Sequence, residues 1–238
     1  MRIKKTSSFP VFHPVTENLI GYKPRELVHV DGDWHRGVQA HIVRPNTRGT
    51  FDILVQRRSN IVDIGAYKYD QSLATQMIDR DNLTISASLR RGLEDELGIV
   101  DYTATELPLT LRIVKTYEEH AGTLNRELIS LYIVQVPDDK KILRKSPKIK
   151  ELVWMEWYDF IRFFNTNPEQ FTKTSQFYCS DELLLPYIES ASLSVIYHNP
   201  LPAPPSDAIL QVNRWMQPRQ TFRGNLSTIL TKSGELKL

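Results

Sequence analysis

The 238-residue sequence predicts an α/β fold, on three observations. Phe51–Gln56 (FDILVQ) is a continuous apolar run of the kind that fills a buried sheet. Leu89, Leu93 and Leu97 recur every four residues, the spacing of one helix face, and Gly98 follows as a helix stop. Further short β-branched runs, at Val38–Val43 and Ile129–Val136, provide additional strands. A hydrophobic share of 41% suffices for a core at this length.

In chain order, Leu27–Val30, Val38–Val43 and Phe51–Gln56 read as strands. Ile61–Asp81 has no clean period and reads as a long loop. Leu83–Leu97 reads as a helix. Thr110–Tyr117 and Ile129–Val136 form a further strand pair, and Leu152–Glu156 is another strand. Helices are expected at Asp159–Asn165 and Asp181–Ser192, the second with Asp181 near its start. Residues Asn199–Asp207 (NPLPAPPSD) hold four prolines, which allow neither helix nor central strand. The division is therefore a lead-in hairpin over 1–36, a main domain over 37–198, and a Pro-rich linker with a basic tail over 199–238.

Charge and cysteine content narrow the function. A net charge of +2 gives no global reason to expect a nucleic-acid binder. The tail carries Arg214, Arg219, Arg223, Lys232 and Lys237 against Asp207 and Glu235, a net of +3, which leaves the first 198 residues at −1. Trp215, Met216 and Phe222 make that tail apolar enough to pack on the domain or to support a homodimer. One cysteine excludes a disulfide framework and a cysteine-rich zinc site, and fits a reducing, cytoplasmic setting. No apolar run approaches the roughly 20 residues of a membrane helix, and the start lacks a signal-peptide core. Ten glycines in 238 is low against a usual share of about 7%.

The segment Arg91-Gly92-Leu93-Glu94-Asp95-Glu96-Leu97-Gly98-Ile99 carries the strongest chemical signal. Asp95 and Glu96 are adjacent carboxylates at a helix end, an oxygen-ligand set suited to Mg²⁺ or Mn²⁺. The alternative is a solvated helix with an Arg91–Asp95 pair worth about 0.2–0.5 kcal/mol.

This run resembles the second half of the Nudix box, Gly-x5-Glu-x7-Arg-Glu-U-x-Glu-Glu-x-Gly-U, where U is aliphatic. Arg91, Leu93, Glu96, Gly98 and Ile99 match it, and Asp95 stands for a glutamate. Met77, Leu83 and Gly92 depart from it, replacing the first glycine, the first glutamate and the glutamate after the arginine. The blocks Gly21…Arg25…His29…Gly32…His35-Arg36, Leu54-Val-Gln56-Arg57-Arg58-Ser59, Gly65…Tyr69-Asp70-Gln71-Ser72 and Asn125-Arg126-Glu127 follow in order. They are similar to the Nudix branch related to isopentenyl-diphosphate isomerase.

The resemblance implies a Nudix α/β/α sandwich with a mixed central sheet and a C-terminal extension. It implies hydrolysis of a diphosphate linkage in a small metabolite, such as a nucleoside diphosphate derivative, with Mg²⁺ or Mn²⁺. Asp95, Glu96 and Glu127 would hold the metal, and Glu127 could instead position water. Arg91 would orient the helix, and Arg57, Arg58 or Lys68 would hold phosphate. Asp79 and Asp81 lie where the missing first glutamate would sit. His29 and His35 correspond to metal-binding histidines of the isomerases, and such histidines are more often structural in the wider branch, so both roles stay open. Isomerase activity is excluded because Gln71–Gln76 holds no cysteine, and the only one, Cys179, lies far downstream. The degenerate box raises a second reading, a catalytically inactive ligand-binding or regulatory protein.

Overall fold

A computed structural model describes residues 7–62, 64–116, 124–139, 141–181 and 184–205. Residues 206–238 lie outside it, and with them Arg214, Trp215, Met216, Phe222 and the expectations placed on the basic tail. The chain opens with an antiparallel pair, β1 (Ser8–Phe12) and β2 (Leu19–Pro24). The strand expected at Leu27–Val30 is instead helical, α1 (Arg25–Asp31). Gly32 closes this helix in the left-handed region at φ 66°, donating its N–H to the Val28 carbonyl. Only Val28 is buried, packing with Phe9, Val11 and Ile78, while Leu27 and Val30 stay exposed. The run is apolar by composition, but a single side chain of it reaches the core.

Two long strands carry the domain. β3 (Trp34–Pro45) pairs antiparallel with β4 (Phe51–Arg58) only at Val43–Pro45 and Phe51–Ile53. β3 also runs parallel to β8 (Leu124–Gln135), which pairs antiparallel with β7 (Thr103–Thr116). β9 (Ile149–Glu156) lines the outer edge of β4. Period-2 alternation then sorts side chains to two faces. Val38, Ala40, Ile42, Leu54 and Val134 pack beneath α2 (Ile85–Leu97) through Leu89, Leu93 and Leu97. Val43, Ile53, Val55, Ile129, Leu131 and Ile133 face α3 (Trp157–Thr166), α4 (Lys173–Ser180) and α5 (Leu184–Ile196). Helices cover both faces of a mixed sheet, the expected α/β layering.

The stretch expected as one long loop, Ile61–Asp81, contains β5 (Tyr69–Asp70), β6 (Leu73–Gln76) and a 3₁₀ turn at Asp79–Asp81. β5 pairs with β4, and β6 pairs with β3 where β3 and β4 have separated. Ser72 sits in that fork, fully buried. Its Oγ accepts from Ile42 N–H at 2.8 Å and donates to the Leu54 carbonyl at 2.5 Å. These strands are too short to show a period, and pairing with β3 and β4 alone defines them.

Three further elements adjust the reading of the C-terminal half. α3 starts two residues before Asp159, capped by Glu156, whose carboxylate accepts from the N–H groups of Tyr158 and Asp159. α4 had no counterpart in the sequence reading; Thr172 caps it by accepting from Ser175 N–H. Asp181 accepts from Leu184 N–H at the head of α5. Among the described residues, no helix is long and apolar enough to cross a membrane.

His41, on β3, is buried beneath α4 against the Tyr178 ring, and neither ring nitrogen has a hydrogen-bond partner. It borders a small cavity shared with Asp70, Phe171, Ser175 and Tyr178. Burial lowers its pKa to about 4. The unfolded chain takes up this proton near pH 6.5 and the folded chain does not. The contribution is therefore intact above about pH 6.5 and declines by about 1.4 kcal/mol per pH unit, reaching about 3 kcal/mol of loss near pH 4. Urea midpoints of the wild type and His41→Leu, compared at about pH 7 and about pH 4.5, should show a smaller acid loss in the variant. Equal losses would place the acid sensitivity elsewhere.

Candidate functional site

The site is built on the C-terminal half of α2. Arg91 leaves the middle of the helix and clamps Asp81: Nε donates to Oδ1 at 2.8 Å, and one Nη to Oδ2 at 2.9 Å. The same Nη reaches the Gln76 carbonyl at 2.7 Å. Asp81 also accepts from Ile78 N–H and Ser88 Oγ, so its carboxylate is fully used. Burial opposes ionisation, but Arg91, the Ile78 amide and Ser88 outweigh it and hold the carboxyl below its ordinary range. Arg91 thus pairs with Asp81, and Asp95 pairs with Arg80 across an exposed 3.2 Å contact. Of the two aspartates near the missing box glutamate, Asp81 is the one joined to the helix. It stands two residues before Leu83, and the chain between them turns through positive φ at Asn82 and Leu83.

Gly92 has a packing reason. A Cβ there would lie 2.9 Å from Thr75 Cγ2 and 3.0 Å from Leu73 Cδ2, both on β6. The position where the family pattern has its first metal ligand is therefore pressed against a strand and buried.

Glu96 is half-buried at the helix end. Burial raises its pKa, and the Asp95 charge adds to this, while Lys148, Arg91 and Arg58 pull it back down. Lys148 belongs to the connection 141–148 between β8 and β9, which crosses the end of α2. Leu143 N–H donates to the Leu97 carbonyl, and the N–H groups of Lys145 and Ser146 donate to the Glu96 carbonyl. Gly98, at φ 66°, lets both the turn and this crossing chain fit: a Cβ would meet Lys145 Cε at 3.0 Å. Ser59 N–H then binds the Lys148 carbonyl, tying the crossing chain to the end of β4.

Glu127 does not join Asp95 and Glu96. It alternates with Ile129, Leu131 and Ile133 on the face toward α3–α5, whereas α2 covers the other face. There it accepts from Gln76 Nε2 at 2.9 Å and lies 3.7 Å from His35 Nε2. The two histidines are neighbours, with ring centroids 5.2 Å apart. Each Nδ1 faces a backbone carbonyl, His29 that of Arg25 and His35 that of Asp33. In the neutral rings Nδ1 therefore carries the proton and Nε2 the lone pair. Among the described residues, no group of three or more His, Cys, Asp or Glu side chains gathers at metal-binding distance. The sequence-expected set Asp95, Glu96 and Glu127 is split across the sheet.

The three cations proposed for phosphate divide as well. Arg58 is committed to Asp70 at 3.1 Å and to the Ile64 carbonyl, yet remains close enough to act on Glu96. Arg57 donates to the Tyr67 carbonyl and lies over the Tyr69 ring. Lys68 follows Tyr67, and its carbonyl accepts from Arg58 N–H. Sequence reasoning missed Gln76, which touches both Arg91 and Glu127, and the basic crossing chain. The latter carried a readable signal: residues 141–150 hold five Lys or Arg and no acid. Cys179 lies on α4 in the opposite layer, where burial pushes its thiol up to about 12.

These parts define a layered α/β protein that holds a carboxylate-bearing helix end among cations. No family model matches the chain. It is 32% identical over 118 residues to an uncharacterised Nudix hydrolase of Clostridium acetobutylicum, covering 49% of this chain and 54% of that one. The chain thus spans about half the length of this curated relative. Its fold is similar to that of DR0079 from Deinococcus radiodurans, with a TM-score of 0.49, 13% identity, and coverage of 67% of this chain and 89% of that one. It is also similar to an Ap4A hydrolase of C. elegans, with a TM-score of 0.39, 13% identity, and coverage of 57% and 89%. The similarity in sequence is to a Nudix hydrolase and is confined to about half of each chain.

Proposed function

We propose that the protein is a divalent-metal-dependent hydrolase that cleaves a diphosphate linkage in a small metabolite. The observation that carries this reading is the half-buried Glu96 carboxylate, held at the end of α2 beside Lys148, Arg58 and Arg91. Glu96 and its neighbour Asp95 suit one Mg²⁺ or Mn²⁺, because Mg²⁺ is commonly bound by one or two carboxylates, keeping waters and taking phosphate oxygens. Such an ion supplies charge neutralisation on the phosphates and activation of water. Arg91, locked on Asp81 and the Gln76 carbonyl, fixes the helix end so that Glu96 stays in place. Glu127 supports Gln76 from the far face.

The test is a panel of nucleotide and other diphosphates with Mg²⁺ or Mn²⁺, run on the wild type and Glu96→Gln. The wild type is expected to release phosphorylated product, and the variant to lose about 100-fold or more, as for removal of a catalytic carboxylate. Undiminished turnover in the variant would refute the assignment.

Two observations favour a second reading, a ligand-binding protein without turnover. Gly92 is packed against β6, and Asp95 spends its charge on Arg80. Saturable binding of a panel member with no hydrolysis under either metal would select it.

A further inference from the structure

We infer that α4 is a proton-released cover: when His41 takes up a proton, this helix detaches from the sheet as a unit and opens the Cys179 thiol to solvent. The helix lies in the layer opposite α2, so its opening is independent of any hydrolysis at Glu96. His41 stands on β3, 6% exposed, with both ring nitrogens unpartnered. The Tyr178 ring of α4 meets it edge to face, with centroids 5.6 Å apart. A small cavity borders the imidazole, and Ser175, Tyr178 and Cys179 of α4 line the same space. A buried imidazole without a partner sits where its charged form would be costly.

Helices α3, α4 and α5 all border this cavity, and they are not equally held. α4 carries the ring that lies against His41, is eight residues long, and buries only Ser175, Phe177 and Tyr178. α5 buries seven residues, and α3 buries three large aromatics. The polar fastenings of α4 to the sheet are also few. Thr172 Oγ and Ser175 Oγ donate to Asp70 at 2.7 and 3.0 Å, and Tyr178 donates its hydroxyl to Gln39. A short, lightly packed segment opens at lower cost than the whole domain. Among the described residues, the ionisable groups that share the cavity with His41 are Asp70 on β5 and Tyr178 and Cys179 on α4; β4, α3 and α5 bring none to it. Asp70 already accepts from Arg58, Thr172 and Ser175. An imidazolium therefore finds no free carboxylate while α4 is closed, and water hydrates it once α4 is open.

The open chain binds the His41 proton near pH 6.5 and the closed chain near pH 4. Between about pH 7 and about pH 5 the open population should therefore rise about 20-fold. Cys179 is the single cysteine, so its labelling by an aromatic disulfide reads that population. Each rate is divided by that of the urea-unfolded chain at the same pH, which removes the titration of the thiol itself. The wild type is expected to show the rise of about 20-fold, and His41→Leu a change within about twofold. Hydrogen exchange, corrected for intrinsic rates, should accelerate over 173–180 by the same factor and leave β8 unchanged. A wild-type rise below about threefold would overturn the inference. So would the same rise in His41→Leu, which would assign the proton to another group. Equal acceleration of α4 and β8 would mean global unfolding and would overturn it too. Should His41→Leu fail to fold, the comparison of α4 with β8 in the wild type decides alone.

Discussion

Arg91→Ala is expected to lower folding stability by about 3–5 kcal/mol, because it strands a buried carboxylate. Asp81 is 3% exposed, and Arg91 supplies two of its four hydrogen bonds. The same guanidinium holds the Gln76 carbonyl, so β6 loses its tether to the helix at the same moment. Asp81→Ala should cost a comparable amount, since it leaves the guanidinium without its carboxylate. The double variant Asp81→Leu/Arg91→Met should recover much of the loss, because well-packed apolar groups often match or exceed a buried ion pair. Urea denaturation of the four proteins measures these three differences from the wild type. A loss below about 1 kcal/mol for Arg91→Ala would mean that water satisfies Asp81 as well as the arginine does.

The second large effect concerns Gly92, where the family pattern carries an acid. Gly92→Glu is expected to destabilise by about 3 kcal/mol or more, and to add no hydrolysis. Leaving glycine in mid-helix gains about 0.8–1 kcal/mol, but overpacking against β6 costs about 1–3 and an unpaired buried carboxylate costs more. The clash is with the Thr75 methyl and both Leu73 methyls, and Thr75 is β-branched with little freedom to yield. At roughly 2–4 °C per kcal/mol for a chain of this size, the thermal midpoint should fall by about 6–12 °C. A Gly92→Glu protein with the wild-type midpoint and a gain in Mg²⁺-dependent turnover would show that this helix face is open to ligand.

Those two residues also show how far the sequence could be read. β4, α2 and the Gly98 stop were legible because their signals are local: an apolar run, leucines four apart, and a glycine where φ turns positive. Leu27–Val30 misled because its apolar composition says nothing of which side chains find a partner, and only Val28 does. β5 and β6 left no trace, being two and four residues long and held by β3 and β4. Asp81 was within view as one of two candidates, but the choice between it and Asp79 depends on a pair of positive-φ residues that no spacing rule contains. Gly92 was visible as a departure without a cause, since its cause lies on β6. Glu127 was placed with the helix acids by resemblance, and strand alternation puts it on the other face.

The Ser72 rivet bears on the order in which the sheet is assembled. The base of the β3–β4 hairpin, Val43–Pro45 against Phe51–Ile53, closes across a short turn and needs nothing else. Beyond it the two strands part, and the Ile42 amide waits for a hydroxyl thirty residues further along the chain. Local pairing is therefore expected to come first and insertion of 69–76 late, because a longer loop must be closed to seat it. The same inserted stretch ends at Gln76, which meets both Arg91 and Glu127. Completion of the sheet and completion of the site would then be one event in folding, so that a half-inserted chain presents no finished site to a ligand.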